Sequence, residues 1–338
     1  MRPNVYGYRR LLLKTDFKDC TGGGIVMGRK DISAKAFMKE PEIFADFFNA
    51  AVFEGKQRVE ADRLRELDTA QTAVLPVEAG KAVLKEKYRD ILKNAIIRSD
   101  GRMVYMLLGI ENQSDIHYAM PVRNLLYNAL AYEGQVTETE RESRDKGNLN
   151  RKEFMSGFPK DGKLTPVITV TLYWGDTHWD GPQTLKEMLK EYPDQLEDYI
   201  EDTNINLVEI IDSELYKACK SELRQVLQAL SVRNDKEKLY ETMAGPDYED
   251  VSATAATVLS DYVNVKKPRK TRNGGYNMCK AIEELKKDWY AEGKEKGLES
   301  MVRILKGVSD NINDIFAMIT KDANYRDVTM EMVKRYYQ

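Results

Sequence analysis

From about residue 33 the apolar positions take up helical spacing, and Phe37, Phe44, Phe47 and Phe48 fall on or near one face. Ser33 is placed to cap that helix. Pro41 interrupts the stretch, which predicts either two short helices or one helix restarting at Glu42. Residues 54–87 are polar and charged, with Leu64 and Leu67 as scattered apolar points, and read as an excursion between elements. The pattern then changes. Residues 88–98 and 102–110 are strand-like and flank Asp100-Gly101, a dipeptide that between apolar runs is among the strongest short hairpin signals. Residues 103–108 are almost continuously apolar, as a central strand covered on both faces requires. Pro121 suits the first turn of a helix carrying Val122, Leu125, Leu126, Ala129 and Leu130. A further strand is expected over residues 165–174, entered through Pro166. Helix, hairpin, helix and strand in this order predict an α/β fold around one mixed sheet.

Beyond Pro182 the pattern turns helical. Residues 185–196 and 213–230 are amphipathic, with a short strand candidate at 205–211. Residues 266–275 form a basic, breaker-rich linker, and after it Met278, Ile282, Leu285 and Trp289 make a helical stripe. Two short helices are expected to close the chain, and Gly293 and Gly297 argue against one long coiled coil. The resulting partition is a leader (1–26), a core (27–212), a helical extension (213–262), the basic linker (263–275) and a C-terminal helical region (276–338). The leader has neither helical nor strand periodicity. Gly22-Gly23-Gly24 shortly before Met27 implies guanine-rich codons just upstream of an ATG, as a translated ribosome-binding site would have, so the natural start is expected at Met27.

Composition narrows the class. The chain has 338 residues, 42% hydrophobic and 32% charged, which fits a globular protein of two or three sub-domains. No apolar run approaches the roughly 18 residues of a membrane span, and Leu11-Leu12-Leu13 is too short for a secretory signal, so a cytoplasmic protein that engages no membrane is expected. Three isolated cysteines and two histidines supply neither a disulfide framework nor zinc-ligand spacing. There is no serine nucleophile elbow and no phosphate-cradling loop before a Lys-Ser/Thr pair. With a net charge of −3, nucleic acid could be held only by a local basic face.

The hairpin supplies the candidate chemistry. A two-residue turn at Asp100-Gly101 pairs Ser99 with Arg102, and the same register sets Asp90 opposite Glu111. Facing side chains start only about 4.5–5.5 Å apart, so two carboxylates there repel unless a cation accepts an oxygen from each. Strand alternation puts Gln113 on the same face as Glu111, with Asn112 pointing away. Such a cluster suits metal-assisted hydrolysis, with Gln113 orienting the attacking water. The plainer alternative is a pair of solvated strand-end acids neutralised by Arg89 or Lys93. Ser114 is expected to cap or hydrogen-bond near the strand end. Trp174, Trp179 and His178 are expected to pack or to anchor a loop.

Residues 88–92 (Tyr-Arg-Asp-Ile-Leu), 108–114 (Leu-Gly-Ile-Glu-Asn-Gln-Ser) and 120–123 (Met-Pro-Val-Arg) together resemble the recombination-promoting nuclease (Rpn) family, a transposase-related group of the PD-(D/E)XK superfamily. The similarity runs through about residues 27–215. The resemblance implies a Mg²⁺-dependent DNA endonuclease, with Mn²⁺ as a substitute, built on an αβββαβ PD-(D/E)XK core with a helical C-terminal extension. It implies metal ligands at Asp90 and Glu111 and places the superfamily's lysine at Gln113, the Glu-x-Gln variant of this family. An acid on the first core helix often completes such a site, and here Glu42 and Asp46 both qualify, Asp46 being favoured. Arg123 is expected either to contact a phosphate or to pair with a strand-end acid. Lys266, Lys267, Arg269, Lys270 and Arg272 either grip DNA phosphates or form a solvated linker. A homo-oligomer stays open. The rival functions are a DNA-binding or regulatory protein that keeps the fold without cleavage, and an RNA-cleaving enzyme.

Overall fold

The computed structural model describes residues 28–337 except 68–69, 78–80, 89, 100–101 and 148–149. The expected leader and the start at Met27 therefore lie outside the described residues, as do Arg89 and the Asp100-Gly101 turn itself.

The N-terminal stretch forms two helices, α1 (Arg29–Met38) and α2 (Pro41–Ala51). Pro41 opens α2, where its missing N–H costs nothing. Ser33 is not a cap. It sits inside α1 and its hydroxyl donates to the Lys30 carbonyl at 3.0 Å. The four phenylalanines are all fully buried, each contributing roughly 1.5–3 kcal/mol by leaving water. Residues 54–87 are more ordered than their polarity suggests. They contain the edge strand β1 (Arg65–Glu66) and a separate two-stranded hairpin of β2 (Ala70–Val77) and β3 (Lys81–Tyr88).

The main sheet adds β4 (Ile91–Ser99), β5 (Arg102–Gln113), β6 (Val167–Tyr173) and β7 (Asn206–Glu209), in the order β1-β4-β5-β6-β7. The β1, β4 and β5 pairings are antiparallel, and β6 and β7 join β5 in parallel. Between β5 and β6 the chain crosses through α3 (Met120–Lys146), with Pro121 in its first turn, and α4 (Arg151–Ser156). The β4–β5 register runs from Ser99↔Arg102 to Ile91↔Ile110, as the two-residue turn requires.

Alternation along β5 divides the two layers. Leu108 and Ile110 face the main core with α1 and α2, while Leu107 faces the other way, against Leu92 and Ala131 of α3. Asn124 and Asn128 of α3 tie that face down by hydrogen bonds to Thr171 (3.0 Å) and Thr169 (2.6 Å). The main core continues into α5 (Leu223–Ser231), α6 (Lys236–Met243), α7 (Ala253–Val263) and the first turns of α8 (Met278–Lys306). Helices α5, α6, α7 and the first turns of α8 are thus packed into the same core as the sheet.

Residues 185–196 are not an α-helix but the 3-10 turns Lys186–Met188 and Asp194–Tyr199. Leu189 and Leu196 stay exposed at 40% and 45%, so the amphipathic pattern finds no surface to bury it, and so short a helix is not stable alone. The expected helix over 213–230 divides into a 3-10 turn (Leu215–Ala218) and α5. The last helix pair is α9 (Ile312–Ile319) and α10 (Met330–Tyr337). They close a second small core with Leu298 and Val302 of α8, which runs unbroken through Gly293 and Gly297. At Gly297 a side chain would collide with the Tyr325 hydroxyl, so this glycine permits a close approach. No helix among the described residues is long and apolar enough to cross a membrane.

Candidate active site

Asp90 lies in the short gap between β3 and β4, directly after the unbroken β4–β5 ladder ends at Ile91↔Ile110. Here side chains take over from the ladder. The Asn112 N–H donates to Asp90 Oδ2 at 2.9 Å, and the Asp90 N–H reaches Glu111 Oε1 at 3.4 Å. Each carboxylate thus accepts from the backbone of the opposite strand, which draws the two acids together across the hairpin end.

Each acid also has a cation. Lys35 of α1 stands 3.5 Å from Asp90 Oδ1, and Arg123 of α3 stands 3.2 Å from Glu111 Oε2. Glu111 is fully buried and the Asp90 side chain 14% exposed, so solvent screens these pairs little. Arg123 Nε donates to the Tyr127 hydroxyl at 3.1 Å. Burial works against the Arg123 charge, but Glu111, Tyr127 and Asp90 outweigh it and raise its pKa. Burial, then Glu111, raises the Tyr127 phenol as well, which keeps it a proton donor.

Gln113 is buried on the same side of β5 as Glu111, but its amide donates back to the Asn112 carbonyl at 2.9 Å. Asn112 points to the opposite side, where it accepts from Trp174 Nε1 at 3.0 Å. Asp46 and Glu42 are not drawn into this cluster. Asp46 is buried on α2 and its Oδ2 accepts from Lys220 N–H (2.8 Å), Ser221 N–H (2.7 Å) and the Ser221 hydroxyl (2.6 Å), fixing the entrance to α5. Glu42 is exposed in the first turn of α2. Ser114 donates to Asp31 of α1 at 2.5 Å and shares a hydrogen bond with Tyr262 of α7 at 2.7 Å.

Lys35 and Asp31 escaped the sequence reading. Their one visible signal is a four-residue spacing that places both on one face of α1. Trp174 and Trp179 are buried and pack against Tyr262 and Tyr173. His178 is 67% exposed between Glu209 and Asp212. In the linker Lys266, Lys267, Arg269, Lys270 and Arg272 are exposed. Lys267 is held by the Ala253 carbonyl (3.0 Å) and the Thr257 hydroxyl (2.7 Å).

The donor set suits a hard divalent cation. Asp90 and Glu111 offer carboxylate oxygens, and Asn124 Oδ1 is a buried oxygen with no hydrogen-bond partner. Asn124 bonds Thr171, which is the β6 neighbour of Glu111 across the parallel register. Among the described residues no group of three or more His, Cys, Asp or Glu side chains could hold a metal, so a cation here would need neutral oxygens and water beside the two carboxylates. Mg²⁺ is commonly bound that way, through one or two carboxylates, substrate phosphate and several waters.

The chain is thus a mixed α/β protein with two acids coupled at the end of its central hairpin. Residues 30–245 match the family model described as "Putative transposase, YhgA-like", of the PD-(D/E)XK and Rpn-type group, and the chain belongs to that family. The description ties the chain to work on DNA. No curated protein and no solved structure matches it.

Proposed function

We propose that the protein is a divalent-metal-dependent DNA endonuclease on a PD-(D/E)XK core, acting in recombination, mobile-DNA processes or defence. The observation that carries this reading is the coupling of Asp90 and Glu111 across the hairpin end, each carboxylate taking a backbone N–H from the other strand. Nothing in the packing of the sheet requires two acids there, and the cost of burying them is offset in the protein itself by Lys35 and Arg123.

Asp90 and Glu111 would hold Mg²⁺, or Mn²⁺ in its place. The bound ion lowers the pKa of a water and neutralises charge on a phosphoryl oxygen. Arg123 fixes the Glu111 carboxylate from behind, and Tyr127 fixes Arg123 in turn. Gln113 can orient a water by hydrogen bonding but cannot stabilise developing charge. Lys35, reaching the Asp90 side from α1, supplies the positive charge that Gln113 lacks. The exposed cations of the 266–272 linker add salt-dependent grip on the phosphate backbone.

One feature favours a second reading, a DNA-binding protein that keeps the fold without cutting. The Gln113 amide is engaged by its own backbone, and both carboxylates already have cationic partners. Plasmid nicking with Mg²⁺ separates the two. Wild type should cleave, while Asp90→Ala and Glu111→Ala should lose at least about a thousandfold, near 4 kcal/mol of barrier. Equal cleavage by all three would place the activity elsewhere. No cleavage by the folded wild type, together with no Mg²⁺ binding, would leave the binding protein. Matched DNA and RNA strands decide the sugar.

A further inference from the structure

A cavity of about 510 Å³ opens beyond the C-terminal ends of β5 and β6, lined by Ser114 and Asp115 after the one and by Trp174 and Gly175 after the other. Its wall carries Lys30, Asp31, Ser114, Trp174, Arg233 and Tyr262. Arg233, just after α5, donates to the backbone carbonyls of Trp174 (2.7 Å) and Gly175 and lies over the Tyr262 ring at 5.8 Å. Its Nε is buried with no acceptor. Among the described residues no carboxylate lies within salt-bridge distance of this guanidinium.

We propose that this cavity is an anion site that seats a phosphoryl group of the DNA strand being cut, with Arg233 as the anchoring cation and Lys30 at the rim. The assignment rests on the nuclease reading for the identity of the strand, and on the cavity alone for the charge of the ligand. A half-buried guanidinium served by two carbonyls and the Tyr262 ring has no carboxylate at salt-bridge distance among the described residues, and an anion in the cavity would supply that partner. Burial pulls its pKa down, with Asp176 the leading opposing influence, but a guanidinium keeps its proton at any physiological pH.

The acids nearby do not reverse the preference. Asp31 is held by the Ser114 hydroxyl, while Asp115 and Asp176 are exposed and screened by solvent. Lys30 is exposed over the Tyr262 ring and free to swing toward a ligand. A stacked base does not fit, because Trp174 and Tyr262 are 1% and 7% exposed and offer no open ring face. A tetrahedral oxyanion needs only the cations.

The location connects cavity and carboxylates. Asp31 lines the cavity and Lys35, one turn further along α1, meets Asp90. Ser114 follows Glu111 by three residues on the other approach. These separations are roughly 6 Å along the helix and about 10 Å along the strand, on the scale of a step or two between neighbouring phosphates of one strand. The cavity would therefore take a phosphate flanking the one that is cut.

The test uses the full chain in EDTA, so that nothing is cleaved, and reads binding of a labelled single-stranded oligonucleotide across a salt series. Arg233→Gln and Lys30→Gln should each weaken binding about tenfold and lower the log–log salt slope by about 0.7, the value for one phosphate contact on a single strand. Inorganic phosphate should stabilise wild type against heat and leave Arg233→Gln unmoved. Because Arg233 also ties down two carbonyls, Lys30→Gln, an exposed change, keeps the test valid if Arg233→Gln fails to fold. Unchanged slopes in the folded variants would overturn the proposal, whether or not the protein cuts DNA. Phosphate stabilisation that depends on Arg233, with unchanged oligonucleotide slopes, would assign free phosphate to the cavity and overturn the strand seat. Reduced slopes alongside absent cleavage would retain the anion site and defeat the nuclease reading instead.

Discussion

Two charged clusters share the carboxyl end of β5 and are built in opposite ways. At the hairpin end, Asp90 and Glu111 each have a cation and a backbone N–H. Beyond Ser114, the Arg233 guanidinium has two carbonyls and, among the described residues, no acid at salt-bridge distance. The first cluster balances its charge within the protein, and a metal ion must compete with Lys35 and Arg123 for the carboxylates. The second leaves its guanidinium without a salt-bridged acid among the described residues, so an anion reaching Arg233 has no paired carboxylate to displace. In the proposed enzyme the anion seat can therefore be occupied before the metal is engaged, and strand binding should not require Mg²⁺.

The largest expected effect comes from breaking the balanced cluster at its buried member. Glu111→Ala leaves Arg123 partly buried without its acid and should cost about 3–5 kcal/mol of stability. Asp90→Ala loses a longer ion pair and the Asn112 N–H bond at a less buried position and should cost less, about 1–3 kcal/mol. Urea unfolding of the two variants measures this difference directly. Adding Arg123→Met to Glu111→Ala should recover stability without recovering cleavage. Equal stabilities for Glu111→Ala and wild type would show that Arg123 is not committed to that carboxylate.

Next in size is Lys35. If it supplies the charge that Gln113 cannot, Lys35→Met should lower the cleavage rate about 10–100-fold, which is roughly 1.4–2.7 kcal/mol of barrier, with stability nearly unchanged. Restoring a lysine through Gln113→Lys in the same chain should recover part of that rate. A Lys35→Met enzyme with the wild-type rate would reduce this lysine to a surface partner of Asp90.

How much of this was legible in the sequence follows the range of the contacts. The opposition of Asp90 and Glu111 came from local rules, because a two-residue turn and strand alternation fix every pairing back to the strand ends. The Ser114 hydrogen bonds and the packing of the tryptophans followed from residue type. Lys35 meets an acid 55 positions away, and no periodicity announces a contact between a helix and a strand end. Asp46 looked like a site acid because it has the right spacing on the right helix, yet it satisfies backbone donors 174 and 175 residues further on. The β2–β3 hairpin was missed because polar residues diluted its apolar runs. Arg233 gave no signal at all. It is one basic residue at the end of an amphipathic helix, and only the folded chain shows that its charge is buried.

The smallest predicted effect tests the comparison most sharply, because the protein contains a control for Arg233. Lys93 is 3% exposed on β4, donates to the Lys39 carbonyl at 2.6 Å and lies 4.9 Å from the centre of the Phe44 ring. Among the described residues it too has no carboxylate at salt-bridge distance, but it does not line the cavity that Arg233 lines. Burial is the main cause of its lowered pKa. Between that lowered value and the ordinary 10.5 the unfolded chain binds more protons than the folded one, so Lys93 makes stability rise with pH across this window. Lys93→Met should remove that rise. At neutral pH, losing one hydrogen bond and one desolvation penalty should leave the variant within about 1 kcal/mol of wild type, on the stable side. Its oligonucleotide salt slope should stay at the wild-type value while that of Arg233→Gln falls. If Lys93→Met lowered the slope as much as Arg233→Gln, loss of any buried cation would suffice, and the cavity would have no special claim on phosphate.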